Sequence, residues 1–405
     1  MTAFITLAIF LTLQSLWSLR EGFQFLNLIR RSWKGLPGPY HPPAAVIIPC
    51  KGQDPNLEEN ATAFLSQDYP AYQVIFVVAS TSDAAWHTLT KILSEHAESE
   101  KAQRIKASLI VAGYSDTNGE KVHNLLAGLG AVEPEAEILV FADIDARPAL
   151  SWLQFLAAPL KDAAVTMTTG FRWYLPDASF TSKLRAAWDA SIATMLGEHQ
   201  HNFAWGGSMA IRKADFERLK VAETYWQGTV SDDYAITRAV RKAHGSIHFE
   251  PRCLVTTRND AGFMDFLRWT NRQIIITRVY NARYWKLGLA SYSLYAFTFI
   301  LGLVMILMPR VSLGHRVIAA AFLLTILALG MAKGGIRTVA AREMFPEEGD
   351  TLRRYGACYW QLTPLVPWVM LFNFVSAGFL RRIEWRGTVY ELKSMHQLKV
   401  IRRGL

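Results

Sequence analysis

Four apolar blocks in a chain of 405 residues set the main constraint on its fold. The first covers residues 2–19 and meets no charge until Arg20. A block of this length can span a bilayer core of about 30 Å at about 1.5 Å per helical residue. A cleaved signal peptide fits poorly, since no Lys or Arg precedes the run and no small-residue cleavage site follows it. The segment runs into Arg20, Arg30, Arg31 and Lys34. The positive-inside rule then predicts a retained anchor whose C-terminal end lies in the cytoplasm. Blocks 289–308 and 317–332 carry no charge and are separated by the short link 309–316, which reads as the turn of a membrane hairpin rather than as core. The last block, 362–379, holds Pro364 and Pro367, so a kinked, broken or re-entrant segment is expected there.

Charge follows the same division. The formal net charge is +9, but the cations cluster beside the apolar blocks. Arg268, Arg272, Arg278, Arg283 and Lys286 precede the hairpin, and Arg381, Arg382, Arg386, Lys393, Lys399, Arg402 and Arg403 follow the last block. Such clusters suit anionic lipid headgroups and argue against nucleic acid as the partner. Four full spans would return the C-terminus to the outer side, whereas the basic tail argues for the inner one; a re-entrant last block reconciles the two. Cys50, Cys253 and Cys358 are far apart and form neither a metal-spaced set nor a disulfide framework, so reduced, partly buried thiols are expected. Asn60-Ala61-Thr62 matches a glycosylation sequon that a cytoplasmic location would leave unused.

The expected partition is an anchor and juxtamembrane segment at 1–39, a cytoplasmic domain at 40–286, and a C-terminal membrane region with two to three helices and a basic tail at 287–405. Prolines 37, 39, 42 and 43 punctuate the exit from the anchor, and Pro55 lies near the start of the next helix. Strands are expected at 44–48, 74–78, 108–112, 138–142 and 165–169. Helices are expected at 57–65, 86–96, 121–129, 182–196 and 235–243. The alternation predicts an α/β fold with a mostly parallel sheet covered on both faces. Ligands in such folds bind beyond the C-terminal strand ends, where Asp83 and Asp143 fall. The 182–196 helix reads either as core or as a membrane-surface helix.

Phe141-Ala142-Asp143-Ile144-Asp145 ends the fourth strand with two carboxylates one residue apart. Both can face one hard cation such as Mg²⁺ or Mn²⁺, which commonly bridges to phosphate; a solvated turn is the plainer alternative. Ser231-Asp232-Asp233-Tyr234 precedes a helix. Asp232 can cap that helix, or Asp233 can serve as a general base that deprotonates a hydroxyl nucleophile. A single displacement with one base would invert the attacked carbon. Gly206 and Gly207 permit close backbone approach to a ligand or form a plain turn. Arg268-Trp269 offers a diphosphate partner and a stacking wall, or a membrane-interface pair. Asp83 can meet a nucleotide base or ribose, or be a surface-loop acid. Lys121 can meet a phosphate or be a solvated helix lysine. His199 and His201 lack further ligands at zinc spacing.

In chain order these motifs resemble a known family. Lys51-Gly52-Gln53-Asp54-Pro55-Asn56-Leu57, Gln67-Asp68-Tyr69-Pro70, Lys121-Val122-His123-Asn124-Leu125, Asp143-Ile144-Asp145, Gly206-Gly207-Ser208, Asp232-Asp233-Tyr234 and Arg268-Trp269-Thr270 are similar to the ceramide glucosyltransferases and their bacterial relatives within family 2 of the inverting glycosyltransferases. The likeness covers about residues 40–285 and extends to the hairpin and to Ile383-Glu384-Trp385-Arg386-Gly387. It implies a GT-A fold, a UDP-sugar donor, Mn²⁺ or Mg²⁺, and a membrane lipid acceptor, ceramide first. The family's second aspartate falls on Asp143 and its catalytic third on Asp233. Substrate contacts are expected from Asp83, Lys121, Asp143, Gly206, Gly207, Asp232, Arg268 and Trp269, and metal contacts from Asp143 and Asp145. Two positions depart from the pattern: Ser80 stands where the first aspartate belongs, and Asp265 opens the signature that ends in Arg268-Trp269. The departures motivate a non-catalytic lipid-binding homologue as one alternative. A hopanoid-lipid N-acetylglucosaminyltransferase is another. A processive polysaccharide synthase fits less well, with too few spans and an altered signature.

Overall fold

The computed structural model describes residues 1–35, 40–54, 56–99, 104–258 and 262–404. The expected punctuation at Pro37, Pro39 and Pro55 lies outside the described residues. The chain forms two compact units, neither continuous in sequence. One gathers Ser32–Trp173, Glu198–Thr257 and Arg381–Leu405; the other gathers Met1–Arg31, Tyr174–Gly197 and Arg258–Leu380.

The first unit is built on strands β1 (Ala44–Pro49), β2 (Tyr72–Val78), β3 (Ile105–Val111), β4 (Ile138–Ala142), β5 (Val165–Tyr174), β6 (Ser208–Arg212) and β7 (Ser246–Thr257). They form one seven-stranded sheet in the order β3-β2-β1-β4-β6-β5-β7. β1 pairs in parallel with β2 and β4, and β2 with β3. β6 runs antiparallel to both β4 and β5. The α/β expectation therefore holds, and strand direction reverses beside β4, whose C-terminal end carries Asp143.

The strands are near-continuous apolar runs because both faces are covered. Successive side chains alternate between faces. Val46, Ile48, Val74, Phe76 and Val140 join one core with Leu57, Phe64 and Leu89 of the Leu57–Phe64 and Ala84–Ala97 helices. Ile47, Ile75, Val77, Leu139 and Phe141 join the other with Val122 and Leu125 of the Glu120–Leu129 helix and Ile236 of the Asp232–Lys242 helix.

The C-terminal tail, read as a basic segment, is a second sheet. β8 (Arg382–Trp385), β9 (Thr388–Ser394) and β10 (Gln397–Arg402) form an antiparallel meander. Arg386 and Gly387 make the two-residue turn between β8 and β9 with φ of 43° and 79°. Two positive φ values in sequence suit the twist of such a hairpin. Its cations are not all left for lipid headgroups: Arg386 pairs with Asp54 and Arg403 with Asp116.

The second unit is helical. Thr2–Ser32, Ala282–Leu307 and Leu313–Met344 are long and apolar enough to cross a membrane. The last apolar block is broken: Cys358–Gln361 ends before Pro364, and a separate helix, Val366–Phe379, follows. Its 14 residues reach about 21 Å, short of a bilayer core. Gly334 lets this region approach closely, since a Cβ there would lie 2.4 Å from Tyr359 O, and small residues serve this role between apolar helices. The Phe180–Ala193 helix belongs to the same unit and takes the core option, with Leu184 and Trp188 buried. Cys50, Cys253 and Cys358 are free and buried.

Candidate active site

The C-terminal end of β4 carries the acidic pair, and the next turn is tied from below. Asn60 donates to Ile144 O at 2.9 Å and accepts from Arg147 Nε at 3.1 Å. The sequon asparagine is thus a buried strut of the Asp143–Asp145 turn.

Lys121 reaches the pair from the first turn of its helix. Gly119 N donates to Thr229 O at 2.9 Å, which holds the helix start against the 229–232 segment. A Cβ at Gly119 would lie 2.8 Å from Val230 Cα, so glycine is required for that approach. Lys121 Nζ then sits 2.8 Å from Asp143 Oδ1 and 3.2 Å from Asp232 Oδ2. On the other side, Arg172 of β5 places its guanidinium 3.0 Å from Asp145 Oδ1 and 3.6 Å from Asp143 Oδ2. The Trp205 ring lies under the same guanidinium, 5.1 Å from its centroid. The result is a row of alternating charge: Asp232, Lys121, Asp143, Arg172, Asp145.

Burial opposes the charges on Lys121, Asp143 and Asp232, and the neighbours decide the outcome. For Lys121, burial is outweighed by Asp143, Asp232 and Asp233, and the ammonium is held well above the usual lysine range. For Asp143, burial is outweighed by Lys121 and Arg172, and the carboxyl is held below its usual range. Asp232 goes the other way: burial, with Asp233 and Asp143 nearby, overcomes Lys121 and raises its pKa to about 6.

Asp232 is not the helix cap. Ser231 is, accepting from Tyr234 N at 3.3 Å. Both acids occupy the first turn, and Asp232 turns toward Lys121. Asp233 Oδ1 accepts from Tyr234 N at 2.7 Å and from the Ser231 hydroxyl. Gly206 is fitted against this arrangement. A Cβ there would lie 2.2 Å from Asp232 Oδ2 and 2.7 Å from Lys121 Nζ. Gly206→Ala is therefore expected to displace both groups and lower turnover by on the order of 10–100-fold, measured as kcat/KM, with the melting temperature little changed. Gly207 packs as closely on the Trp205 ring.

The loop after β1 is clamped from two directions. Asp83 Oδ1 accepts from Gly52 N at 2.8 Å and from Ala85 N at 2.9 Å, so it caps the Ala84–Ala97 helix and holds the loop. Ser80 bonds within its own turn, its hydroxyl to Ser82 and its carbonyl to Asp83 N. From the tail, Arg386 forks onto Asp54 at 2.8 and 3.1 Å and donates to Lys51 O at 2.8 Å. Burial opposes the Arg386 charge, but Asp54, with smaller help from Asp145 and Asp143, outweighs it and raises the pKa. Arg172 and Arg386 escaped the sequence reading. The first is a lone cation inside an otherwise uncharged strand, and the second stood in a tail motif whose likeness gave it no place at the site.

Arg268 and Trp269 belong to the helical unit, on the Phe263–Tyr280 helix. Arg268 pairs with Asp265 at 3.2 Å. Trp269 packs edge-on against Trp188 and Tyr174, with the Arg185 guanidinium 4.4 Å from its ring centroid. His199 and His201 lie side by side, ring centroids 5.9 Å apart.

Among the described residues, no group of three or more His, Cys, Asp or Glu side chains is arranged to hold a metal unaided. The donor set still suits a divalent cation that draws on a ligand. Asp143, Asp145, Asp232 and Asp233 oppose Lys121 and Arg172, four negative charges against two positive, leaving a deficit of two. A hard cation bound through one or two carboxylates, with phosphate oxygens and water completing its shell, fits that balance.

The family model described as "Glycosyl transferase family 21" matches residues 1–398. A curated relative, "Ceramide glucosyltransferase 1" from Caenorhabditis elegans, is 25% identical over 124 residues, 31% of this chain. The match spans only 25% of that relative's length. Among solved structures, the mannosyltransferase PcManGT from Pyrobaculum calidifontis, determined with GDP-Man and Mn²⁺, is similar at 17% identity and a TM-score of 0.48, over 93% of this chain and 97% of that one. Glucosyl-3-phosphoglycerate synthase from Mycobacterium tuberculosis, determined with Mn²⁺, UDP and phosphoglyceric acid, is similar at 13% identity and a TM-score of 0.40, over 63% and 82% of the two chains.

Proposed function

Because the chain belongs to glycosyl transferase family 21 and is a glycosyltransferase of GT-A type, we propose that it moves a hexose from a UDP-sugar, UDP-glucose first, to the hydroxyl of a membrane lipid, ceramide first, with inversion. The single observation that carries this reading is the charge row at the end of β4, with Asp233 one residue from its end. The helices able to cross a membrane support a lipid acceptor. The cations flanking the apolar blocks support a catalytic unit on the cytoplasmic side.

Asp143 and Asp145 would hold Mn²⁺ or Mg²⁺, which when bound supplies charge neutralisation to the departing diphosphate. Lys121 already contacts Asp143, Arg172 contacts both carboxylates, and the two cations add positive charge where the phosphates would lie. Asp233 is the base. Its Oδ1 is fixed by Tyr234 N–H and Ser231, which leaves Oδ2 to take the acceptor's proton. As that proton leaves, the acceptor oxygen forms its bond to the anomeric carbon, the bond from that carbon to the phosphate oxygen breaks, and UDP departs. Attack from the face opposite the leaving group inverts the carbon. Arg268, Trp269, Gly206 and Gly207 are assigned to substrate contact in this reading. Asp83 acts there through the Gly52 loop that it holds.

Calorimetry with UDP tests the nucleotide part. Binding is expected with Mn²⁺ present and is expected to weaken at least about tenfold when the cation is chelated. No heat of binding in either condition would favour a non-catalytic homologue. Transfer to a hopanoid lipid rather than to ceramide, in side-by-side vesicle assays, would overturn the acceptor assignment while leaving the chemistry intact.

A further inference from the structure

The helical unit holds a half-open cavity of about 140 Å³ whose mostly apolar wall carries a few polar groups. All three long apolar helices and the broken 362–365 segment contribute to its wall. Gln14, Ser18, Ser291, Tyr292, Thr363 and Lys333 bring polar atoms to it, and Lys333 is the one charged residue among the described residues that line it. Lys333 Nζ donates to Ser18 Oγ at 2.7 Å, and Gln14 Nε2 donates to Ser291 Oγ at 2.6 Å.

One helical turn beyond Lys333 on the same helix, Arg337 is buried and donates to Thr194 Oγ1 at 3.2 Å. Among the described residues, neither cation has a carboxylate within ion-pair distance. Glu21, three residues past Ser18, pairs with Arg20 at 3.6 Å. Two neighbouring cations with no carboxylate in ion-pair contact, Glu21 facing Lys333 only from beyond that distance, are costly away from water. Long lysine side chains usually keep their charged head in water, yet this one turns inward to Ser18. Ionisable groups so placed among apolar helices ordinarily mark a ligand site.

Depth narrows the ligand. Lys333 follows directly on the charge-free stretch 317–332, and Ser18 lies two residues before the first charge of its helix, Arg20. If these helices cross a bilayer, both positions fall at the level of the headgroups. Ammonium, hydroxyl and amide groups together offer donors to an anion with several acceptor oxygens. A volume of about 140 Å³ leaves room for a phosphate group but not for a whole lipid. We propose that this cavity binds the phosphate of a membrane lipid with a net anionic headgroup, whose acyl chains lie outside it against the apolar helices.

The test uses the full-length protein in detergent, mixed with phosphatidylglycerol or phosphatidylcholine, and native mass spectrometry. Phosphatidylglycerol is expected to be retained about tenfold better than phosphatidylcholine. Lys333→Met is expected to abolish that preference and Lys333→Arg to keep it, with Mn²⁺-dependent UDP binding unchanged in both. Ser18→Val is expected to lower retention in the same direction, so the comparison survives if Lys333→Met does not fold. Equal retention of the two lipids, or an undiminished preference in Lys333→Met or Ser18→Val, would overturn the proposal. Displacement of the lipid by excess inorganic phosphate would show a free-anion site and would equally overturn the lipid assignment.

Discussion

Asp233→Asn is expected to lower kcat by on the order of 10³-fold while leaving Mn²⁺-dependent UDP binding within about twofold of the wild type. The substitution keeps size and shape. The amide oxygen can still accept from Tyr234 N and Ser231, so the helix start should survive. What is lost is the basic oxygen. Without it the acceptor hydroxyl must attack with its proton in place or release it to water. The two readouts separate the base from the metal site, because Asp143 and Asp145 are untouched. Turnover near the wild-type rate in detergent or liposomes would remove Asp233 from the mechanism. Loss of UDP binding together with turnover would make it a structural residue instead.

Lys51→Met is expected to destabilise the sheet unit by about 3–5 kcal/mol, because it strands a buried carboxylate. Lys51 Nζ lies 2.8 Å from Glu120 Oε2, with side-chain exposures of 7% and 3%. The same ammonium donates to Thr388 Oγ1 at 2.9 Å, tying β9 to the loop after β1. Glu120 Oε1 already lacks a hydrogen-bond partner among the described residues, and Thr388 Oγ1 reaches Oε2 only at 3.5 Å, so no local charge replaces the lysine. At about 2–4 °C per kcal/mol for a unit of this size, the melting temperature should fall by roughly 6–20 °C. Adding Glu120→Leu should recover most of the loss, since an apolar pair leaves no orphaned charge. A single variant that melts with the wild type would show that the Lys51–Glu120 pair contributes nothing to stability.

These two residues show what the sequence made visible and what it hid. The 138–142 strand and its acidic end were legible, because an apolar run stopped by two carboxylates has few other readings. The α/β order was legible for the same reason, as buried parallel strands are nearly uniform in composition. Lys51 stood inside a recognised motif, but its partners are far away in sequence, at Glu120 and Thr388, and no local pattern encodes such a pairing. The C-terminal sheet was missed because only one side of β9 is buried. Tyr390 and Leu392 alternate with Glu391 and Lys393, and the charges dominated the reading. That alternation and the Arg386-Gly387 turn were the available signals. Arg172 was missed because one cation in a strand is usually a surface residue. Here β5 lies next to β6, two strands from β4, and its side chain reaches the acidic pair. The Ser231-Asp232-Asp233 segment was read correctly as a helix start, but the capping residue is Ser231, which frees both acids for the site.

The account's central claim is a single displacement at the anomeric carbon with Asp233 as the base. The most direct measurement is the anomeric configuration of the product. Purified protein, UDP-glucose, Mn²⁺ and ceramide in vesicles would be allowed to react, and the glycolipid analysed by proton NMR at the anomeric position. The donor is α-linked, so the account predicts a β-glucoside in wild-type reactions and none above background with Asp233→Asn. An α-glucoside would mean retention, and would contradict the single displacement and the role given to Asp233.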